Sequence, residues 1–194
     1  MTAPAMEKNP KVNAIIKAWQ ALYPDEEKNR RGDAGARARL RRAASPADVE
    51  LEPAFHDFLR RMSADGADFE AHRFRRLALI AGLLAGRKTD RSRGKRLMRV
   101  LGKQLDTSDY LLKPLRFQAL IGALDRGDET EIMTTLRRAL TMARDEEVNL
   151  YAFIEDILYW GEKARRRWTY DYFGHPFESS SSETNTISTE ETAA

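Results

Sequence analysis

Residues 87–103 read RKTDRSRGKRLMRVLGK, with eight basic side chains against one acid. The chemistry open to such a stretch is not bond making but charge neutralisation. Lysines and arginines displace the counterions that surround a nucleic-acid backbone, a sequence-blind interaction that weakens steeply with salt. On a helical wheel at about 100° per residue, Leu97, Leu101 and Leu105 fall on one side. Lys95, Arg96, Arg99 and Lys103 fall on the opposite side. A solvated helix ordinarily mixes signs, because opposite charges one turn apart stabilise it. The expected face here is wholly positive, which points to an anionic partner: a nucleic acid or, in the alternative reading of a protein–protein scaffold, acidic partner proteins docked without DNA contact.

Two further basic clusters invite the same reading. Arg30, Arg31, Arg37, Arg39, Arg41 and Arg42 have only Asp33 among them, and Arg116, Arg137 and Arg138 form the third group. Arg138 is placed away from the Ile132–Leu136–Leu140 stripe. Neither cluster distinguishes DNA from RNA.

The stretch LYWGEKARRRWTYDYF (158–173) poses a sharper choice, since arginines between aromatics can hold phosphates while rings stack on bases. On the same wheel Phe153, Ile154, Ile157, Trp160, Ala164, Trp168 and Tyr172 form one continuous apolar stripe. Arg166 lies opposite it, with Arg165 and Arg167 on the shoulders. Both tryptophans are therefore expected in the core, where each buries about 150–250 Å².

Catalytic constellations do not emerge. His56, His72 and His175 stand apart, without ligand spacing, and no P-loop, GxGxxG or GxSxG occurs. The acids Asp25, Glu26, Glu27 and Asp145, Glu146, Glu147 read as loop or helix-end charge. The expectation is a protein that is not an enzyme and needs no metal or cofactor.

Helices must position these side chains, because helical periodicity runs through most of the chain and period-two alternation never persists. Val12, Ile15, Ile16, Trp19 and Leu22 trace one face of a first helix, stopped near Pro24. Asp33 is placed to cap AGARARLRRA, and Pro53 to open PAFHDFLRRM, where its missing N–H is harmless. Phe74, Leu77, Ala81 and Leu84 give another stripe. After AGRKTDRSRG come KRLMRVLGKQL, a helix from about Lys113, ETEIMTTLRRALTMA and a last helix capped by Asn149 that runs through the aromatic stretch.

The predicted fold is all-α: two small helical bundles packed together, residues 1–88 and 89–175, joined near residues 86–94. A disordered acidic tail, 176–194, follows. Over 194 residues the formal charge is +3. The tail carries four of the 30 acids and no Lys or Arg, which leaves 33 basic residues against 26 acidic, or +7, on the first 175. Cysteine is absent, excluding disulfides and thiolate metal sites. The N-terminus lacks a signal-peptide pattern, and the longest apolar run, LALIAGLLAG (77–86), is far short of the roughly 20 residues a membrane helix needs. A cytoplasmic protein without membrane partners is expected.

Four segments in order carry a resemblance. GDAGARARLRRAASPADVELEPAFHDFL (32–59), LALIAGLLAGRK (77–88), LRFQALIGALDRGDETEIMTTLRRAL (115–140) and ILYWGEKARRRWTYDYF (157–173) together resemble the CasB family. These are the small subunits of the type I-E CRISPR surveillance complex, Cascade. The resemblance covers nearly all of residues 12–173.

It implies a non-catalytic helical subunit, two copies of which pack head-to-tail in a complex with other Cascade subunits and guide RNA. There they line a path for the DNA opened by guide pairing (an R-loop), chiefly the displaced single strand. Carried over segment by segment, the residues implied to touch nucleic acid are Arg41, Arg42, Lys95, Arg99, Lys103, Arg116, Arg137 and Arg138. Arg91 and Arg93, in the loop RKTDRSRG, transfer less securely.

Overall fold

The computed structural model describes residues 9–26, 29, 31–87, 94–102 and 109–175. The expected tail, residues 88–93 of the expected join at 86–94, Arg30, Lys103 and Leu105 lie outside them. The described helices are α1 (Pro10–Gln20), α2 (Ala34–Arg42), α3 (Pro46–Glu50), α4 (Pro53–Ala64), α5 (Phe74–Leu84), α6 (Leu97–Leu101), α7 (Pro114–Arg126), α8 (Glu129–Met142), α9 (Leu150–Leu158) and α10 (Glu162–Tyr172). A 3₁₀ turn at Ala71–Arg73 leads into α5. Lys95 and Val148 form an isolated parallel bridge, and no sheet occurs among the described residues, so the fold is all-α as expected. No helix among them is long and apolar enough to cross a membrane.

Helix boundaries follow from side chains that satisfy the free N–H groups of first turns. The Asp33 carboxylate accepts from the Ala36 N–H at 2.7 Å, and Asn149 accepts from the Ala152 N–H at 2.9 Å, both as the sequence predicts. Pro53 is the first residue of α4. Ser45 and Asp48 form a reciprocal capping box at α3, which the sequence reading does not anticipate. Ser45→Ala is expected to cost about 1 kcal/mol, a fall of about 3 °C in thermal midpoint by circular dichroism.

The core is one contiguous cluster drawing on residues from Val12 to Tyr172. At its centre lies α5, buried at every position from Leu77 to Leu84. It packs against α2, α3 and α4 on one side of the sequence and against α8 and α9 on the other. The α1 stripe is buried as expected, and the Trp19 indole N–H donates to the Leu84 carbonyl at 2.8 Å. Phe74, expected at the head of the α5 stripe, is 38% exposed instead, because burial along this helix begins one turn later.

Two expected helices are shorter than the sequence periodicity indicates. The last is two helices, broken at Tyr159–Gly161, with Gly161 fully extended. The stripe is continuous in sequence, yet its halves have different partners: α9 packs on α1 and α5, while α10 packs on α6. One straight helix does not reach both. Trp168 is buried as expected, whereas Trp160 is only half-buried and its indole N–H donates to Asp125 at 3.3 Å. The helix expected around KRLMRVLGKQL is only the short α6, ended at Gly102. There the chain passes so close to the Tyr172 backbone that a Cβ would stand inside 3.0 Å of it.

Candidate nucleic-acid interface

Two arginines fix the geometry of α2, α5 and α8 by donating to helix C-termini, whose last carbonyls have no partner within the helix. From α8, Arg137 donates to the carbonyls of Leu40 (3.2 Å) and Ala43 (2.6 Å) at the end of α2. Just past α5, Arg87 is buried and donates to the carbonyls of Leu140 (3.2 Å) and Ala143 (3.0 Å) at the end of α8. Burial pushes both guanidinium pKa values below their ordinary value, but a group starting that high keeps its charge at neutral pH.

Between these elements lie two adjoining depressions of about 320 and 570 Å³ that share Arg41 and Gly86. Their described linings hold Arg37, Arg41, Arg87, Arg137 and Arg144 and no acidic side chain. The Arg37 guanidinium stacks 4.4 Å over the Tyr23 ring. The Tyr23 hydroxyl contacts the carbonyls of Leu84 and Ala85, and its pKa is pushed up by burial, against the pull of Trp19 and of the charges on Arg37, Arg41 and Arg87. Arg144 pairs at the rim with Asp145 at 3.2 Å, an exposed contact of little energetic weight. The result is a groove whose described lining carries charge of one sign, with an exposed Arg41 common to both halves.

Of the sequence-predicted residues, the groove brings together Arg41 and Arg137, from clusters nearly a hundred positions apart. Arg42 and Arg138 are exposed on α2 and α8 without lining it. Arg116 is exposed on α7 beside Leu115, which is 80% exposed. Lys95 and Arg99 line a separate basin of about 420 Å³ with Tyr110, Lys113, Asp109 and Glu146, so its charge is mixed.

Over the described residues 95–102 the wholly positive face is therefore not observed. Arg96 pairs with Asp156 at 3.4 Å and with Asp171 at 3.9 Å, and Arg99 is half-buried near Asp171. The acids that complement this segment come from α9 and α10, too far along the chain for a helical wheel to register. Asp156 also accepts from the Trp168 indole at 2.8 Å and from Arg167. Burial raises the Asp171 pKa above the usual carboxylate value even though Arg96, Arg99 and Arg167 pull it down.

Sequence reasoning missed Arg144 altogether, and left Arg37 and Arg87 in basic clusters without choosing them. Only Arg87 carried a local signal, as the first charge after an unbroken apolar run. The histidines remain apart: His56 contacts the Glu50 carbonyl at 2.9 Å and His72 the Glu70 carboxylate at 3.1 Å. Among the described residues no group of three His, Cys, Asp or Glu side chains is arranged to hold a metal.

The described residues form a helical body held on one apolar core, with an arginine groove between α2, α5 and α8. Residues 36–173 match CRISPR-associated protein Cse2, and the chain belongs to that family, the one resembled in sequence as CasB. The fold is similar to that of a chain in the crystal structure of E. coli Cascade bound to a PAM-containing double-stranded DNA target. The match has a TM-score of 0.57 and 23% identity, over 82% of this chain and 92% of that one. No curated protein matches the chain.

Proposed function

We propose that this chain is the non-catalytic small subunit of a type I-E Cascade in CRISPR antiviral defence, where it binds DNA opened by guide-RNA pairing, chiefly the displaced strand. The observation that carries the reading is the groove whose described lining holds five arginines and no acid. Exchanging a DNA duplex for an RNA–DNA duplex is nearly balanced in energy, so contacts to the backbone are enough to tip it. Because the displaced strand differs with every target, sequence-blind arginines suit the task better than base-reading side chains.

In this reading Arg41, with Arg37 and Arg144, contacts phosphates directly. Arg137 and Arg87 contribute field while holding helices, and Arg42, Arg116, Arg138, Lys95, Arg99 and Lys103 extend the path. A second copy, guide RNA and other Cascade subunits are the partners, the cytoplasm is the setting, and no cofactor is required. The division into bundles at 88/89 belongs to the same proposal. A second reading, docking on protein, is favoured at one place, where Leu115 and Leu111 lie exposed beside Arg116 and Lys113.

Fluorescent single-stranded DNA titrated across a salt series tests this. Arg41→Ala with Arg144→Ala removes up to two phosphate contacts, so the slope of log affinity against log salt should become shallower by about 1.4. Lys95→Ala with Arg99→Ala should change it less, because that basin already holds two acids. An unchanged slope in the Arg41/Arg144 variant would move the strand off the groove. Absence of salt-dependent binding by the wild-type chain, alone and in the assembled complex, would leave the protein-docking reading in its place.

A further inference from the structure

The half of the groove that holds Tyr23 carries more than charge. Around Arg37 and Arg41 its described lining is Tyr23, Pro24, Ala34, Ala38 and Ala85, an aromatic ring among small apolar surfaces. The other half carries Thr141 and Arg144 beside Arg87 and Arg137. A phosphate gains nothing from an apolar floor, whereas the face of a nucleobase does. We propose that the Tyr23–Arg37 half is a subsite for one unpaired nucleobase, which stacks on the Arg37 guanidinium while the flanking phosphates lie toward Arg41 and Arg144. The proposal rests on the groove being the nucleic-acid site and names its ligand class more closely: a strand with free bases, not any polyanion.

Three observations support it. The first is the state of Arg37. Its guanidinium lies 4.4 Å over the Tyr23 ring, and no carboxylate pairs with it among the described residues. Nucleobases stack on arginine planes as they do on aromatic side chains. With Tyr23 on one face, the other face is left for a base, and the N–H groups in the plane still serve a phosphate.

The second is a rigid support. The Tyr23 ring stands edge-on to Trp19 with centroids 5.6 Å apart, and its hydroxyl contacts the Leu84 and Ala85 carbonyls. The Asp33 N–H donates to the Leu22 carbonyl at 2.9 Å, which ties the start of α2, and with it Arg37, across the ring. A platform already ordered loses little binding energy to ordering.

The third is size. A depression of about 570 Å³ falls within the roughly 300–1,000 Å³ of small-molecule sites. A base inside a duplex has both faces covered by its neighbours, so only an unpaired one can enter. Every base presents a π-face, so stacking tolerates any sequence, as a displaced strand requires.

The test titrates the full chain with two fluorescent oligonucleotides of equal length and charge, one of deoxyadenosines and one of abasic sugars. The wild-type protein should bind the first on the order of tenfold more tightly, with the same salt slope for both. Arg37→Lys keeps the charge but not the plane. It should bring the two affinities together without changing the slope. Tyr23→Leu should do the same, and Tyr23→Phe, which keeps the ring, should retain most of the preference. Arg41→Ala with Arg144→Ala should instead make the slope shallower and leave the preference. Fluorescence of 2-aminopurine placed in the first oligonucleotide should be quenched on binding to wild type and much less by Arg37→Lys.

Equal, salt-dependent binding of both oligonucleotides by the wild-type chain would overturn the base subsite and leave the groove as a backbone site. A preference or a quench that persists in Arg37→Lys would place the stacking elsewhere and overturn it too. Absence of salt-dependent binding of either oligonucleotide, by the chain alone and in the assembled complex, would remove the nucleic-acid reading itself and the subsite with it.

Discussion

Asp156→Ala is expected to be the most damaging single substitution outside the apolar core, lowering stability by roughly 3–5 kcal/mol. The carboxylate is 3% exposed and serves three donors: the Trp168 indole at 2.8 Å, Arg96 at 3.4 Å and Arg167. Removing it leaves a buried indole N–H without an acceptor and uncovers positive charge on Arg167, itself largely buried. The loss exceeds the worth of the contacts themselves, because orphaned donors are no longer solvated either. The thermal midpoint should fall by on the order of 10 °C, read by calorimetry. Asp156→Asn retains an acceptor for Trp168 but not the charge, and should fall between the alanine variant and wild type. A loss below about 1 kcal/mol for the alanine variant would show that the network is not a stabilising element.

Gly102→Ala is the second. The added Cβ would press into the Cα, carbonyl carbon and carbonyl oxygen of Tyr172, all backbone, so relief requires α6 and α10 to separate. Tyr172 is itself fully buried, with its ring stacked 3.9 Å from Phe117 and its hydroxyl donating to the Leu112 carbonyl. Overpacking of this kind costs about 1–3 kcal/mol, and the rigid neighbour places it toward the upper end. Gly82→Ala provides the contrast. Its Cβ meets the terminal methyl of Met133, with Val49 at 3.1 Å, and an unbranched methionine moves at small cost. Equal losses in chemical denaturation of the two variants would contradict the assignment of the Gly102 effect to backbone contact.

The elements are readable in sequence where local physics decides them. Asp33, Asn149 and Pro53 begin helices because their chemistry acts within three residues, and the α1 and Trp168 stripes are buried because periodicity reports a face directly. The break at Tyr159–Gly161 is not legible, since the stripe continues in phase across it and only the partners of each half differ. The same limit governs the site. Arg41 and Arg137 both line the groove, yet nothing local in the sequence joins them. Arg96 reads as free on a wheel because its acids, Asp156 and Asp171, sit on helices formed much later in the chain. Arg144 acquires its place solely from the packing of α8 beside α5 and the end of α2.

The position of α5 bears on how the chain is made. This helix carries the longest unbroken run of buried residues among those described, and it leaves the ribosome well before α8 and α9, which cover its far side. During synthesis its greasy surface is complemented on one side by α2, α3 and α4 and bare on the other until α9 has emerged. At about 5–20 residues per second that interval lasts several seconds. The nascent protein is therefore most vulnerable to aggregation midway through translation, and a chaperone that shields apolar helices would find its target there rather than in the finished fold.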